Sequence, residues 1–238
     1  MRNSTKTSLM LIVVDILAAS LILTALFMVF YYAPVEVEMG LVQKIFYFHV
    51  AAAWTGMLGF LVAFAAGIGL LRSGNMKWDI AGVAGVEIGL VFISLSTIMG
   101  SIWARPIWNT WWTWDPRLST ALIMMLIYFA YLLLRNGVEE PGRRARFSAV
   151  YAIVGFVSVP LTFMSIRLFR TIHPVIIGSS DPAATGVFEM STRMTHTFMI
   201  SLVAFSVLFV ALFWHRVRLG VKLALFEQRK MEDFTGED

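Results

Sequence analysis

Six apolar runs occupy most of this 238-residue chain, and each is about as long as a helix must be to cross a bilayer. An α-helix spans the hydrocarbon core with about 20 apolar residues, and 58% of the residues here are hydrophobic. The runs cover approximately residues 9–33, 45–71, 80–102, 118–134, 147–168 and 194–214. Only short polar stretches separate them, so the sequence predicts an all-α polytopic membrane protein with a single membrane domain over residues 1–238.

The distribution of lysine and arginine predicts the orientation of these helices. If the N-terminus is cytoplasmic, thirteen of the 19 basic residues fall on the cytoplasmic side and six on the opposite side. By the positive-inside rule this excess places both termini inside, an N-in/C-in topology. The pI near 9.6 reflects this cytoplasmic excess of basic residues, which is suited to anionic lipid. The charge therefore does not require a nucleic-acid partner.

Tryptophan is concentrated in one place, between the third and fourth predicted helices. Five of the eight tryptophans lie within a twelve-residue segment: Trp103, Trp108, Trp111, Trp112 and Trp114. Membrane interfaces attract tryptophan, but usually one or two at a helix end rather than five together. Flat, polarisable rings beside fixed cations suit a large, flat, anionic and mostly apolar ligand. With both termini inside, this segment faces outward and predicts a binding surface there.

Histidine is the chain's best candidate for a metal ligand, because there is no cysteine to form iron–sulfur or covalent haem attachments. Three of the four histidines, His49, His173 and His196, lie on the predicted outer side, and His215 lies at the inner end of the last helix. A non-covalently held haem iron needs one or two neutral imidazoles. His49 with His173 is the favoured pair, since a loop carrying His173-Pro174 can fold over a ligand. Taken alone, a histidine at the membrane interface is more often a hydrogen-bonded surface residue than a ligand, and the shared face with the tryptophans favours the ligand.

Charged residues near the tryptophans have two interpretations each. Arg117 and Lys44 could neutralise the carboxylates of an anionic ligand, or could extend toward the lipid headgroups as interfacial cations. Asp115, which precedes Pro116, could contact a ligand or cap the fourth helix. Glu87 lies inside the third helix, where an acid is costly, so we expect it to be protonated or hydrogen-bonded to a neighbouring helix.

The sequence resembles a known family at several points. The segment Trp108-Asn-Thr-Trp-Trp-Thr-Trp-Asp115-Pro-Arg-Leu-Ser resembles the tryptophan-rich signature of haem-handling membrane proteins of cytochrome c biogenesis. Six helices in a chain of this length are similar to the haem exporter protein C (cytochrome c maturation protein C) family. Further matches are Lys44-Ile-Phe-Tyr-Phe-His49-Val-Ala-Ala-Ala, Glu87-Ile-Gly and Arg170-Thr-Ile-His173-Pro. The resemblance extends from the first loop to the sixth helix.

This resemblance implies a function without turnover chemistry, so we do not expect an enzyme. It implies transient, non-covalent binding of haem b at the periplasmic face of the bacterial cytoplasmic (inner) membrane, with the iron ligated by His49 and His173. The haem would then pass to a periplasmic haem chaperone, with a two-component ABC-type ATPase and a small single-helix subunit as further partners. The predicted haem contacts are Trp108, Trp111, Trp112, Trp114, Asp115, Arg117 and Lys44.

Two other classes of protein remain as alternatives. A membrane b-type cytochrome typically has histidine pairs inside facing helices at bilayer depth, and the sequence shows no such pair. A small-molecule (haem) permease is compatible with six helices, but the sequence shows neither an inverted repeat nor a pair of broken helices.

Overall fold

The computed structural model describes residues 2–174 and 190–235, with side chains from 9 to 174 and from 190 to 230. Regular structure in these ranges is helical. The α-helices are α1 (Arg2–Phe27), α2 (Ile45–Ser73), α3 (Lys77–Trp108), α4 (Pro116–Asn136), α5 (Pro141–Gly155), α6 (Ser158–Leu168) and α7 (Thr192–Thr235). A π-helical turn, Met28–Tyr32, continues α1, and a 3-10 turn, Leu41–Lys44, leads into α2.

Within the described residues, six helical segments are long and apolar enough to cross a membrane, which confirms the predicted all-α polytopic fold. The segments are Leu9–Tyr32, Leu41–Ser73, Lys77–Trp108, Pro116–Asn136, Pro141–Leu168 and Thr192–Lys230. The fifth contains both α5 and α6, because the helix is interrupted at Phe156 and Val157. Pro160 follows this break, as expected for a residue whose ring clashes with the carbonyl four residues earlier.

Small residues bring α2 and α3 into the closest contact between any two helices of the described structure. A Cβ atom on Gly59 would lie 2.5 Å from the carbonyl oxygen of Gly85, and one on Gly89 would lie 2.8 Å from the ring of Phe60. The helices can approach this closely only because the glycines have no side chain. Such close packing compensates for the lack of a hydrophobic driving force between helices in lipid. The α2–α3 pair is therefore the rigid centre of the bundle, against which α7 and α5 also pack.

Two predicted helix ends were wrong. The third helix continues to Trp108 instead of ending near residue 102, so Trp103 and Trp108 are helical and only residues 109–115 form the connection to α4. The last helix continues to Thr235 instead of ending near residue 214. His215 therefore lies inside α7 rather than at its end, and its Nε2 contacts both carboxylate oxygens of Asp15 on α1 at 3.0 Å.

Two acids within the spans, Glu87 and Asp79, form ion pairs with arginines of other helices. The carboxylate of Glu87 accepts two hydrogen bonds from Arg216 of α7, one of them at 2.9 Å. Asp79, at the start of α3, accepts two from Arg135 at the end of α4, one also at 2.9 Å. Glu87 is thus hydrogen-bonded to a neighbouring helix, which is one of the two states the sequence predicted for it.

Candidate ligand-binding site

His49 lies in the second turn of α2, where its imidazole faces α3. Its Nδ1 lies 2.8 Å from the backbone oxygen of Ser96. A carbonyl oxygen only accepts, so Nδ1 carries the hydrogen and donates it. In the neutral ring the lone pair is then on Nε2, the nitrogen that a metal can use.

His173 lies in the loop after α6, and Asp115 holds that loop in place. One carboxylate oxygen of Asp115 accepts from the hydroxyl of Thr171 at 2.7 Å, and the other accepts from the backbone N–H of Ile172 at 2.9 Å. The backbone N–H of His173 in turn donates to the hydroxyl of Thr171 at 3.0 Å. Asp115 also accepts from the backbone N–H of Arg117 and so caps α4.

The imidazole of His173 has the same arrangement of nitrogens as that of His49. Its Nδ1 lies 3.1 Å from the backbone oxygen of Pro174, so Nδ1 is the donor and Nε2 has the lone pair. The pKa of His173 is lowered to about 4, first by burial and then by the nearby positive charge of Arg117 and the ring of His49. Near neutral pH the ring is therefore uncharged, as a metal ligand must be.

The two rings are close to each other, although they come from distant parts of the chain. Their centroids are 6.4 Å apart and their planes differ by 37°. A metal–imidazole bond is about 2.0–2.1 Å long, and a ring nitrogen lies about 1.2 Å from the ring centroid. One metal ion between two coaxial imidazoles therefore needs centroids roughly 6.5 Å apart. The observed separation of 6.4 Å is compatible with one metal ion bound by both rings.

A cavity of about 240 Å³ contains both histidines. Its outer part is aromatic, since Trp103, Trp108, Trp111 and Trp112 all line it, and its deeper part is apolar, with Ala53, Met57, Ile93 and Ala121. Trp111 is 57% exposed, so the cavity reaches the surface at the tryptophans. Its walls therefore combine a flat aromatic opening with an apolar interior, which suits a planar ligand with one apolar edge.

Arginine supplies the positive charge of the cavity. Arg117 lines it, donates to the backbone oxygen of Thr162 and lies 5.5 Å from the ring centroid of Phe163. Among the side chains described, none of the ion pairs involves Arg117. Arg167 also lines the cavity. Because Arg117 forms none of the ion pairs among the described residues, its guanidinium can bind an anionic group of the ligand.

Three predicted contact residues do not line this cavity: Lys44, Trp114 and Asp115. Lys44 donates instead to the backbone oxygen of Phe30 at 2.9 Å and lies over the ring of the same residue. Trp114 is 77% exposed and makes an edge contact with Trp112. Asp115 anchors the loop that carries His173, as described above. The structure therefore brings together His49, His173, Trp108, Trp111, Trp112 and Arg117.

The other histidines lie elsewhere. His196 stacks on Tyr32 and its Nδ1 lies 3.3 Å from the tyrosine hydroxyl, while His215 contacts Asp15. No group of three or more histidine and acidic side chains is positioned to hold a metal ion among the described residues. Two imidazoles alone suit an iron whose four remaining ligands come from a porphyrin.

Sequence reasoning missed three residues of the site. Ser96 and Gly100 contact His49 from α3, and Arg167 lines the cavity from the end of α6. The only signal for the first two was their spacing of four residues, which puts them on one face of a helix. That spacing does not say which residue the face meets.

Comparison with known proteins places these residues in a wider context. The sequence model of one family, described as Heme exporter protein C, matches residues 2–232. A relative of that name from Bradyrhizobium diazoefficiens is 34% identical, with 76% of this chain and 66% of the relative aligned. Relatives of the same name from Rhodobacter capsulatus and Escherichia coli K12 are 31% and 32% identical, over 84% and 60% of this chain. The alignments cover 83% and 59% of those two relatives. This chain therefore aligns with less than two thirds of the length of the Bradyrhizobium diazoefficiens and Escherichia coli relatives.

Proposed function

Because the chain belongs to the Heme exporter protein C family, we propose that it binds haem b for cytochrome c biogenesis and passes it to a haem chaperone. The observation that carries the proposal is the paired geometry of His49 and His173. Both Nε2 atoms keep a lone pair, and the separation of the rings is compatible with one iron bound between them.

The walls of the cavity favour a porphyrin over a smaller metal complex. Trp108 and Trp112 offer rings on which a macrocycle can stack, since aromatic faces attract each other at offset distances. Arg117 can grip a propionate through two parallel hydrogen bonds. The apolar interior between α2, α3 and α4 accepts the edge of the macrocycle that has no charge.

Release is part of this function, and the residues present permit it. The chain has no cysteine, so haem cannot be attached to it through a thioether. Binding then depends on two coordinate bonds, stacking and ion pairing, all of which are reversible. We place the site on the periplasmic face of a bacterial inner membrane, because the excess of basic residues lies at the opposite end of the helices. A periplasmic chaperone can reach the cavity where Trp111 is exposed.

We further propose that the protein works in an assembly with a two-component ABC-type ATPase and a small single-helix subunit. This part of the proposal rests on the family and not on a surface of the chain. The names of the relatives give support of the same kind: each is called Heme exporter protein C, and the letter C suits one subunit of a set.

The test compares haem retention and transfer in histidine variants. The wild type and the variants His49→Ala, His173→Ala and the double variant are purified in detergent from cells that make the chaperone. We expect the wild type to carry six-coordinate haem and each single variant to lose one axial ligand, with little haem on the chaperone. His196→Ala and His215→Ala are the matched controls, because both remove a histidine outside the cavity. A six-coordinate spectrum that is unchanged in the double variant would refute the proposal.

A further inference from the structure

Where α3 faces the imidazole of His49, it carries a glycine, Gly100, and so presents no side chain to the ring. A Cβ atom on Gly100 would be 2.8 Å from Cε1 of His49 and 3.1 Å from its Nδ1. Carbon atoms of real side chains essentially never come within 3.0 Å of such an atom. The ring, as the end of a side chain, would have to move before the helix backbone did.

Ser96, one helical turn before Gly100, holds the same imidazole by hydrogen bonds. Its backbone oxygen accepts from Nδ1, and its hydroxyl oxygen lies 3.2 Å from that nitrogen. The hydroxyl also donates to the backbone oxygen of His49 at 3.0 Å. Ser96 is 3% exposed, so water does not compete for these hydrogen bonds and they restrict the orientation of the ring.

We infer that Ser96 and Gly100 are positioning residues, which fix the tautomer and the tilt of His49 so that its Nε2 is directed at the iron. Ser96 supplies the acceptor that keeps the hydrogen on Nδ1, and Gly100 supplies the space in which the ring lies. The inference rests on the proposed function, because it assigns these roles with respect to haem bound by His49. Partners of this kind orient metal-ligating histidines in general, and their loss typically lowers metal affinity by about 10- to 100-fold.

The test uses haem and the purified full-length protein. Gly100→Ala should raise the apparent Kd for haem by about 10- to 100-fold and convert the six-coordinate spectrum to a five-coordinate one. Added imidazole should restore six-coordination, because a displaced His49 leaves its axial position open. A purely structural defect would lower the yield of folded protein but would not respond to imidazole.

Gly82→Ala is the matched control on the same helix. A Cβ atom there would meet only the side chain of Ala66 at 3.6 Å and the hydroxyl of Tyr131 at 3.9 Å, which are ordinary contacts. We expect its haem spectrum and affinity to equal those of the wild type. A wild-type spectrum in Gly100→Ala would overturn the inference.

A second variant covers the case in which Gly100→Ala does not fold. Ser96→Ala adds no bulk and removes only the hydroxyl, and Ser94→Ala is its control because Ser94 bonds to Met125 instead. The backbone oxygen that accepts from Nδ1 remains in Ser96→Ala, so this variant tests the hydroxyl, which donates to the backbone oxygen of His49. We expect a several-fold weaker affinity in Ser96→Ala alone, and an unchanged affinity would contradict a positioning role for the hydroxyl. If His49→Ala itself binds haem like the wild type, the proposed function fails. If His49→Ala loses the axial ligand while Gly100→Ala and Ser96→Ala do not, only the positioning role fails.

Discussion

The carboxylate of Asp115 accepts a hydrogen bond from the hydroxyl of Thr171 at 2.7 Å, across 56 positions of the sequence. This bond joins the end of the tryptophan-rich segment to the loop that carries His173. The aromatic wall and one candidate iron ligand are therefore held together by a side chain that does not itself line the cavity. Asp115 couples two parts of the site that sequence places far apart.

Replacing this carboxylate should separate the two parts. In Asp115→Asn one carboxylate oxygen becomes an amide NH₂, which cannot accept, so either the bond from Thr171 or the bond from the N–H of Ile172 is lost. We expect the His173 loop to detach and the six-coordinate haem signal to fall by about tenfold, as for other partners that orient a metal ligand. The absorption spectrum of the purified haem complex measures this loss.

Glu140→Gln is the control for the capping role of Asp115. Glu140 is also an N-cap residue, with its carboxylate accepting from the backbone N–H groups of Gly142 and Arg143, but it lies outside the cavity. Both substitutions keep one oxygen that can accept at the helix cap, so both should lower thermal stability only slightly. Equal haem spectra in the two variants would show that Asp115 acts as a cap alone.

The protonation of His173 gives a prediction in pH. Its pKa is lowered to about 4 by burial first and then by Arg117 and His49, whereas an unfolded histidine titrates near 6.5. Between these values the unfolded chain binds a proton that the folded chain does not. Stability therefore falls as the pH is lowered from about 6.5 toward 4 and is unaffected by this group at higher pH. NMR of ¹⁵N-histidine in the haem-free protein should show one ring titrating near 4.

That resonance is assigned to His173 by its absence from His173→Gln. Arg117→Gln removes one positive charge that disfavours the protonated ring, so the midpoint should move upward in that variant. A His173 midpoint at about 6.5 in the wild type would mean that the ring is not held in the cavity.

The tryptophans should differ in their effect on haem affinity. Trp108 and Trp112 line the cavity, whereas Trp114 is mostly exposed and does not. Trp108→Ala and Trp112→Ala should each weaken haem binding by about 0.5–1.5 kcal/mol, the typical contribution of an aromatic stacking contact. Trp114→Ala should bind haem like the wild type. Haem titration followed by tryptophan fluorescence quenching measures all three, and equal losses would contradict the structure.

The orientation of the chain can be tested directly because the chain has no cysteine. Val37, 96% exposed between α1 and α2, belongs to the end of the bundle that contains the cavity. Glu139, between α4 and α5, belongs to the opposite end. A membrane-impermeant maleimide added to intact spheroplasts should label Val37→Cys and not Glu139→Cys. Labelling of Glu139→Cys alone would place the cavity in the cytoplasm.

Hydropathy predicted the six spans because crossing a bilayer demands long apolar segments. It failed at the ends of α3 and α7 for a related reason. Arg105 and Pro106 interrupt the apolar pattern before Trp108, and residues 215–235 mix charged with apolar side chains, many of them good helix formers. A run of apolar residues indicates the part of a helix that lies in the hydrocarbon core, not the full length of the helix. Helices that continue beyond the lipid are therefore predicted too short.

The candidate site was predictable only in part, and the reason is similar. His49, His173 and the tryptophans are residue types with distinctive chemistry, so the sequence alone indicated them. Ser96 and Gly100 are common small residues whose roles arise only when α3 packs against α2. Lys44 does not line the cavity, because its amine donates to the backbone oxygen of Phe30 instead. Such choices depend on distances that a linear pattern does not contain.

The most direct test of the central proposal is magnetic circular dichroism of the ferric haem complex, which identifies the two axial ligands of the iron. We predict the signature of two imidazoles in the wild type, and of a single imidazole in both His49→Ala and His173→Ala. A wild-type signature of one imidazole, or a two-imidazole signature that survives in either variant, would contradict it.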